Sequence, residues 1–137
     1  MLDRLPIYLS TLPSFIAYFV LALVLLAVFV AVYTRITPHD EFKLIRAGNT
    51  AAVTALIGSV VGFVVPLASA IAHSQSVLDM VVWGAVAMVV QVAVYGGLRL
   101  IYRELAHQIA AGNVASAILL GGFSLAIGIL NAACMTS

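Results

Sequence analysis

Apolar and polar positions along the chain separate into four long stretches almost free of formal charge and the short segments between them, which carry most of the charges. From Ser14 to Tyr33 there is no charge, no Gly and no Pro, and 13 of the 20 residues are Leu, Ile, Val or Phe. At about −0.3 to −0.6 kcal/mol each, these contribute on the order of −4 to −8 kcal/mol to insertion, which predicts a membrane-spanning helix. Residues 1 to 13, with Asp3, Arg4, Pro6 and Pro13, read as a short irregular lead with Tyr8 at the interface. A cleaved signal peptide is not expected, because the start is neutral and Ala31-Val32-Tyr33 does not fit a small-x-small cleavage site. The segment Thr34 to Gly48 follows. Thr37 suits an N-cap, Pro38 the first helical position, Asp40 and Glu41 the positive helix start, and Arg46 with Gly48 the end. This predicts a short interfacial helix with Phe42 and Ile45 dipping into the headgroup boundary. A second span runs from about Thr50 to Ala72 with Asn49 as N-cap, and a turn covers His73 to Asp79. A third runs from about Met80 to Leu98, with Trp83 near one end and Tyr95 and Tyr102 near the other, as in an aromatic belt. Arg99 to Gly112 forms another polar segment, and the fourth span covers about Asn113 to Met135.

The polar segments share a string. Ala47-Gly48-Asn49 recurs as Ala111-Gly112-Asn113, and the same 64-residue shift pairs Arg35 with Arg99, Ile45 with Ile109, Leu56 with Leu120, Gly58 with Gly122 and Ala68 with Ala132. The fold expected is an all-α membrane protein occupying residues 1–137 as a single domain. It has four transmembrane helices arranged as two like-oriented two-helix repeats, about 14–72 and about 80–135, joined by short interfacial cytoplasmic helices. Copies separated by two spans keep one orientation, so the repeat axis lies along the membrane normal.

Helices in lipid gain no hydrophobic drive toward each other, and small residues let their backbones approach. On the second span Ala51, Ala55, Gly58, Gly62 and Ser69 share a face; the shift assigns Ala115, Leu119, Gly122, Ala126 and Ala133 as their partners on the fourth. The expectation is that spans two and four form the inner pair and that the Gly-free first span faces lipid. Two polar lines remain. Ser116, Ser124, Gly128 and Asn131 lie within about 120° of one another on nearly the opposite face of span four. Gln91, Tyr95 and Arg99 step by four along span three. Polar groups at membrane depth usually look into the protein or a wet cavity, so these lines are the candidate pore or interface residues. The plainer reading is that the serines bond to their own helix, Gln91 finds one interhelical partner and Asn131 reaches water.

Composition sharpens the class. Of 137 residues, 64% are hydrophobic and 8% charged, against about a quarter charged in soluble domains. Four spans fill the length, since each needs roughly 20 residues to cross a core of about 30 Å. The formal charge of +1 and the lack of a Lys/Arg run give no support to nucleic-acid binding. The basic residues Arg35, Lys43, Arg46, Arg99 and Arg103 fall in the loops after spans one and three, and Arg4 alone lies opposite. The positive-inside rule then places those loops in the cytoplasm and both termini in the periplasm.

Chemistry is sparse. No charged residue or His sits centrally in a span, which disfavours a proton-coupled transporter. His39, Asp40 and Glu41, with Glu104 and His107, can make a weak cation site, but solvated helix ends account for them. A lone Cys134 excludes an internal disulfide and a multi-cysteine metal site, and it has no nearby base except His73 by way of folding. No catalytic residue, metal ligand or cofactor is expected.

The strings Tyr33-Thr34-Arg35-Ile36-Thr37-Pro38-His39-Asp40-Glu41, Gly48-Asn49-Thr50-Ala51-Ala52 and Asn131-Ala132-Ala133-Cys134-Met135 resemble the bacterial inner-membrane family DUF350, a domain of unknown function. The resemblance covers nearly the whole chain. It implies a small four-span inner-membrane protein without assigned activity, encoded in many bacteria beside membrane-stress proteins, and it brings no catalytic residues with it. The combined expectation is a non-enzymatic membrane protein that forms homo-oligomers in the lipid bilayer and anchors a cytoplasmic membrane-stress partner. The alternative is an oligomeric channel for ions or small polar solutes.

Overall fold

The computed structural model describes residues 4–135. Among these, the secondary structure is helical: α1 (Leu5–Ile36), α2 (Glu41–Arg46), α3 (Thr50–His73), α4 (Val77–Ile101), α5 (Leu105–Ala110) and α6 (Val114–Met135). Four of them, α1, α3, α4 and α6, are long and apolar enough to cross a membrane. The protein is therefore an all-α, multi-pass membrane protein, as the apolar stretches require, because in lipid a helix satisfies its own backbone groups.

The first helix differs from the expected one. Residues 5 to 13, expected to be irregular, are helical and make α1 32 residues long, about 48 Å at 1.5 Å per residue. Pro6 sits in the first turn, where its missing N–H is not needed, and Pro13 removes only the donor for the Leu9 carbonyl. Thr37 is not the N-cap of α2. It ends α1, and its hydroxyl donates back to the Tyr33 carbonyl at 3.1 Å, so the next helix starts later, with Asp40 accepting from the Lys43 N–H. Pro38 consequently lies ahead of that helix.

The two Ala-Gly-Asn strings build the same junction twice. Gly48 and Gly112 take φ of +86° and +93°, the left-handed conformation that favours glycine at a helix end. Their N–H groups donate to the carbonyls of Ile45 and Ile109, each at 3.0 Å, and the N–H groups of Asn49 and Asn113 donate to Leu44 and Gln108, each at 2.9 Å. Each asparagine then caps the next helix, Asn49 accepting from Ala52 at 3.0 Å and Asn113 from Ser116 at 3.2 Å. The glycine stops one helix and the asparagine starts another, which is why both residues recur. The copies differ in one respect. Asn49 Nδ2 also donates to the Ala110 carbonyl at 3.0 Å, tying the start of α3 to the end of α5, whereas Asn113 Nδ2 reaches the Gln108 side chain.

Helix α3 is the most buried of the four spans and α1 the least. Asn49 lies beside Ala110, Gly58 against Gly121 and Ser69 beside Ala132, so α3 and α6 run parallel and touch along their whole length. Helix α4 crosses this pair, and α1 leans on α3 and α4 through its later half, where Phe29 stacks on Phe63 at 4.7 Å. Phe15, Phe19 and Leu23, earlier in α1, are exposed.

On α3, Ala51, Ala55 and Gly62 are buried, Gly58 and Ser69 are half-buried, and Ser69 Oγ donates to the Ala132 carbonyl at 3.3 Å. The partner face assigned to α6 is wrong. Ala115, Gly122, Ala126 and Ala133 are exposed, and the residues that meet α3 lie on a different row: Ala117, Gly121, Ser124 and Gly128. The reason is steric. The assigned row carries Leu119, whose side chain would stand between the helices. The row in use holds nothing larger than serine, and its glycines take the closest approach: a Cβ on Gly58 would meet the Gly121 backbone, and one on Gly128 the Gly62 carbonyl.

Gly128→Ala is expected to cost about 1–3 kcal/mol by overpacking this seam. Gly122→Ala, where an added Cβ meets nothing within 4 Å, leaves stability unchanged. Thermal unfolding in detergent followed by circular dichroism checks the contrast; equal midpoints for the two variants would show that the seam tolerates a methyl group.

Candidate functional site: a polar seam and a buried carboxylate

The polar residues on the spans gather in two places. The first is mid-membrane. Pro66 lies inside α3 and has no N–H, so the carbonyl four residues earlier, Gly62, lacks its usual helical donor. Gln91 of α4 supplies one. Its Nε2 donates to the Gly62 carbonyl and to the Ser124 carbonyl of α6, both at 3.0 Å, joining three helices through one side chain. Gly128 brings α6 against the same Gly62 carbonyl. Gln91, Ser124 and Gly128, expected to look into a pore or toward another subunit, therefore meet at the seam inside one protomer. Gln91 finds two interhelical acceptors, one more than its plainer reading allowed.

The rest of the two polar lines disperses. Ser116 is buried toward the α5 end, where its Oγ lies 3.1 Å from the Tyr102 hydroxyl. Asn131 is half-buried near the other end, and its Nδ2 has no hydrogen-bond partner. Tyr95 packs edge-on against Tyr33 of α1 at 6.0 Å and belongs to the second cluster.

That cluster was missed. Glu41, expected to be a solvated helix-end residue, has a side chain with no exposed surface, and His39 keeps only 11%. The cause is tertiary: the end of α1 and the start of α2 fold the chain back on the bundle, where Tyr33 and Tyr95 stand close enough to couple electrostatically with the Glu41 carboxyl. His39 Nε2 lies 3.1 Å from Glu41 Oε2 and forms its hydrogen bond there. The same nitrogen is 3.0 Å from Oε1, but that oxygen completes no hydrogen bond. The Tyr33 hydroxyl lies beside Ser59 of α3, and the Tyr95 hydroxyl beside Arg99, yet Ser59 Oγ and Tyr95 OH are both buried without a completed hydrogen bond. Asp40 is exposed and serves as the α2 cap, while Glu104 and His107 are exposed on the α5 segment. The five-residue cation site considered from sequence does not assemble: among the described residues no three His, Cys, Asp or Glu side chains come together around a metal-sized space. Nothing local in the sequence from Tyr33 to Glu41 marks the carboxylate as buried.

Four spans, two glycine-asparagine junctions and a polar seam in which Gln91 Nε2 bridges two helices of the same protomer define a small multi-pass membrane protein. The chain belongs to the family described as Domain of Unknown Function (DUF350), whose model matches residues 7–135. It is 41% identical over 128 residues to the "UPF0719 inner membrane protein YjfL" of Escherichia coli (strain K12), a match covering 93% of this chain and 97% of that protein. The protein of that name in Escherichia coli O157:H7 matches to the same extent. No solved structure matches.

Gln91→Leu is expected to destabilise by about 1–2 kcal/mol, the upper range for interhelical hydrogen bonds in membranes. The penalty should shrink in a Pro66→Ala background, where residue 66 regains an N–H for the Gly62 carbonyl. A double-mutant cycle on unfolding free energies reads this, and an unchanged penalty would uncouple Gln91 from the proline.

Proposed function

We propose that this protein is a non-enzymatic, multi-pass inner-membrane protein that self-associates laterally and acts as a scaffold for a cytoplasmic partner of the membrane-stress type. The observation that carries this reading is the second small-residue row on α6. Its first row is taken by α3, while Ala115, Gly122 and Ala126 are exposed. Gly122 and Ala126, with Ile118, Leu119 and Phe123, line an outward groove of about 280 Å³. Within lipid, such a surface favours close approach of another helix over retention of acyl chains. A second copy of the chain is the occupant always at hand. The inner-membrane location follows the printed name of the curated relatives, and the partner class follows the family resemblance.

The orientation belongs to the same reading. Arg35, Lys43, Arg46, Arg99 and Arg103 gather at the α2 and α5 end, which the positive-inside rule assigns to the cytoplasm, with both termini periplasmic. The channel reading draws less support, because Gln91, Ser124 and Tyr95 are buried within one protomer.

Single-molecule photobleaching in lipid bilayers is expected to count more than one copy per particle. Gly122→Leu and Ala126→Leu should weaken association about tenfold or more, the factor that accompanies roughly 1.4 kcal/mol, and leave helicity intact. A wild-type protein that stays monomeric at every protein-to-lipid ratio would remove the scaffold reading. Separately, reporter fusions at the C-terminus should be active in the periplasm; a fluorescent cytoplasmic fusion there would reverse the orientation.

A further inference from the structure

At the basic end of α4, charged and apolar surfaces meet in one place. A shallow groove of about 330 Å³ is lined by Gly96, Arg99 and Leu100 of the helix and by Arg103 of the turn that follows it. Arg99 lies eight residues beyond Gln91, about 12 Å along α4, and half of a hydrocarbon core is about 15 Å. The groove therefore opens where lipid phosphates begin. Gly96 leaves room in it, since a Cβ there would meet nothing within 4 Å. Leu100 and Ile101 are 81% and 85% exposed, more than any other large hydrophobic side chain among the described residues. Ile101 also lines an apolar groove of about 380 Å³ that α4 shares with Phe123 and Ile127 of α6. Charge decides what suits the first groove. Arg99 and Arg103 are exposed, and among the described residues neither makes an ion pair, the acid–base contact there being His39 with Glu41. Glu104, next in sequence to Arg103, is exposed and pairs with neither. Arg99 stands beside the Tyr95 hydroxyl, which limits where its guanidinium can go; with five N–H donors, most remain for an anion. Guanidinium forks match phosphate oxygens. Leu100, in the same groove, offers an acyl chain a contact that a water-soluble anion cannot use. A zwitterionic headgroup brings its own cation against the two arginines, and a net-negative one does not.

We propose that Arg99, Leu100 and Arg103, around the space left by Gly96, hold one anionic phospholipid of the leaflet at the basic end, its phosphate met by the two guanidinium groups. No residue of the exposed α6 row takes part, so the site is independent of lateral association.

The test is native mass spectrometry of the full-length protein in detergent, titrated with dioleoyl phosphatidylglycerol or dioleoyl phosphatidylcholine, which share acyl chains and differ in headgroup charge. The first phosphatidylglycerol is expected to bind about fivefold or more tightly than the first phosphatidylcholine, the factor that one arginine contributes at an anionic surface. Arg103→Gln should weaken phosphatidylglycerol binding about fivefold. Gly96→Leu, which keeps both charges and fills the groove, should weaken it to a similar degree. Arg35→Gln, which removes a charge at the same end but outside the groove, leaves the affinity unchanged. Arg103 is exposed and Gly96 borders open space, so both variants fold, which circular dichroism checks. Equal affinities for the two lipids would overturn the proposal. So would equal losses in Arg35→Gln and Arg103→Gln, the mark of general attraction to basic charge, or wild-type binding in Gly96→Leu. Displacement of the lipid by millimolar inorganic phosphate would also overturn it, in favour of a soluble-anion site.

Discussion

Contact between the α3 and α6 backbones is the constraint on which the other contacts depend. A soluble bundle is pulled together by burying apolar faces, but in a bilayer a leucine loses nothing by facing a lipid tail. What remains is dispersion between surfaces that fit closely and the few hydrogen bonds available between helices. Gly58, Gly62, Gly121 and Gly128 bring the two backbones together, and Pro66 leaves the Gly62 carbonyl in need of a donor. Gln91 meets that need from a third helix. The proline that would weaken an isolated helix thus becomes the reason α4 sits where it does, because its register is set by the position of one free carbonyl.

The two ends of the bundle differ in how firmly they are tied. At the basic end, two glycine-asparagine junctions, the Asn49 link to the end of α5 and the aromatic column Phe63, Phe29, Tyr33 and Tyr95 fasten every element to α3 or α4. A carboxylate buried among them is a stringent arrangement: removing charge from water is costly, and the penalty falls only when hydrogen bonds and opposite charge surround it. At the other end α1 runs on with Phe15 and Phe19 exposed, and it contributes an apolar groove with Ala22 and Ile71 instead of a packed contact. Helix α1 is therefore anchored at one end and lipid-facing at the other.

Membership of the DUF350 family fixes the class of membrane protein and leaves activity open. The arrangement of polar groups supports a structural reading of most of them, since Gln91 and Ser116 engage neighbours within the protomer. Two features stand outside that internal structure: an exposed small-residue row on α6 and an incompletely satisfied polar cluster at the basic end. The row lies on the outside of α6 and the cluster inside the basic end, so the two are separate.

Spans and junctions were legible in the residues because their causes are local. A hydrocarbon core demands about 20 apolar residues in a row, and a left-handed glycine followed by a capping asparagine is a local backbone solution that reads the same in both copies, at Gly48-Asn49 and at Gly112-Asn113. Which row of α6 meets α3 was not legible, because both rows are rich in small residues and Ser124 and Gly128 read as part of a polar line; the Cβ-free backbone approach at Gly121 and Gly128 decided it in three dimensions. The burial of Glu41 was equally invisible. Its neighbours in sequence are those of an ordinary helix start, and only the docking of α1 on α3 and α4 closes Tyr33 and Tyr95 around the carboxylate, so that depth came from tertiary structure while segment and sequence order came from the chain itself.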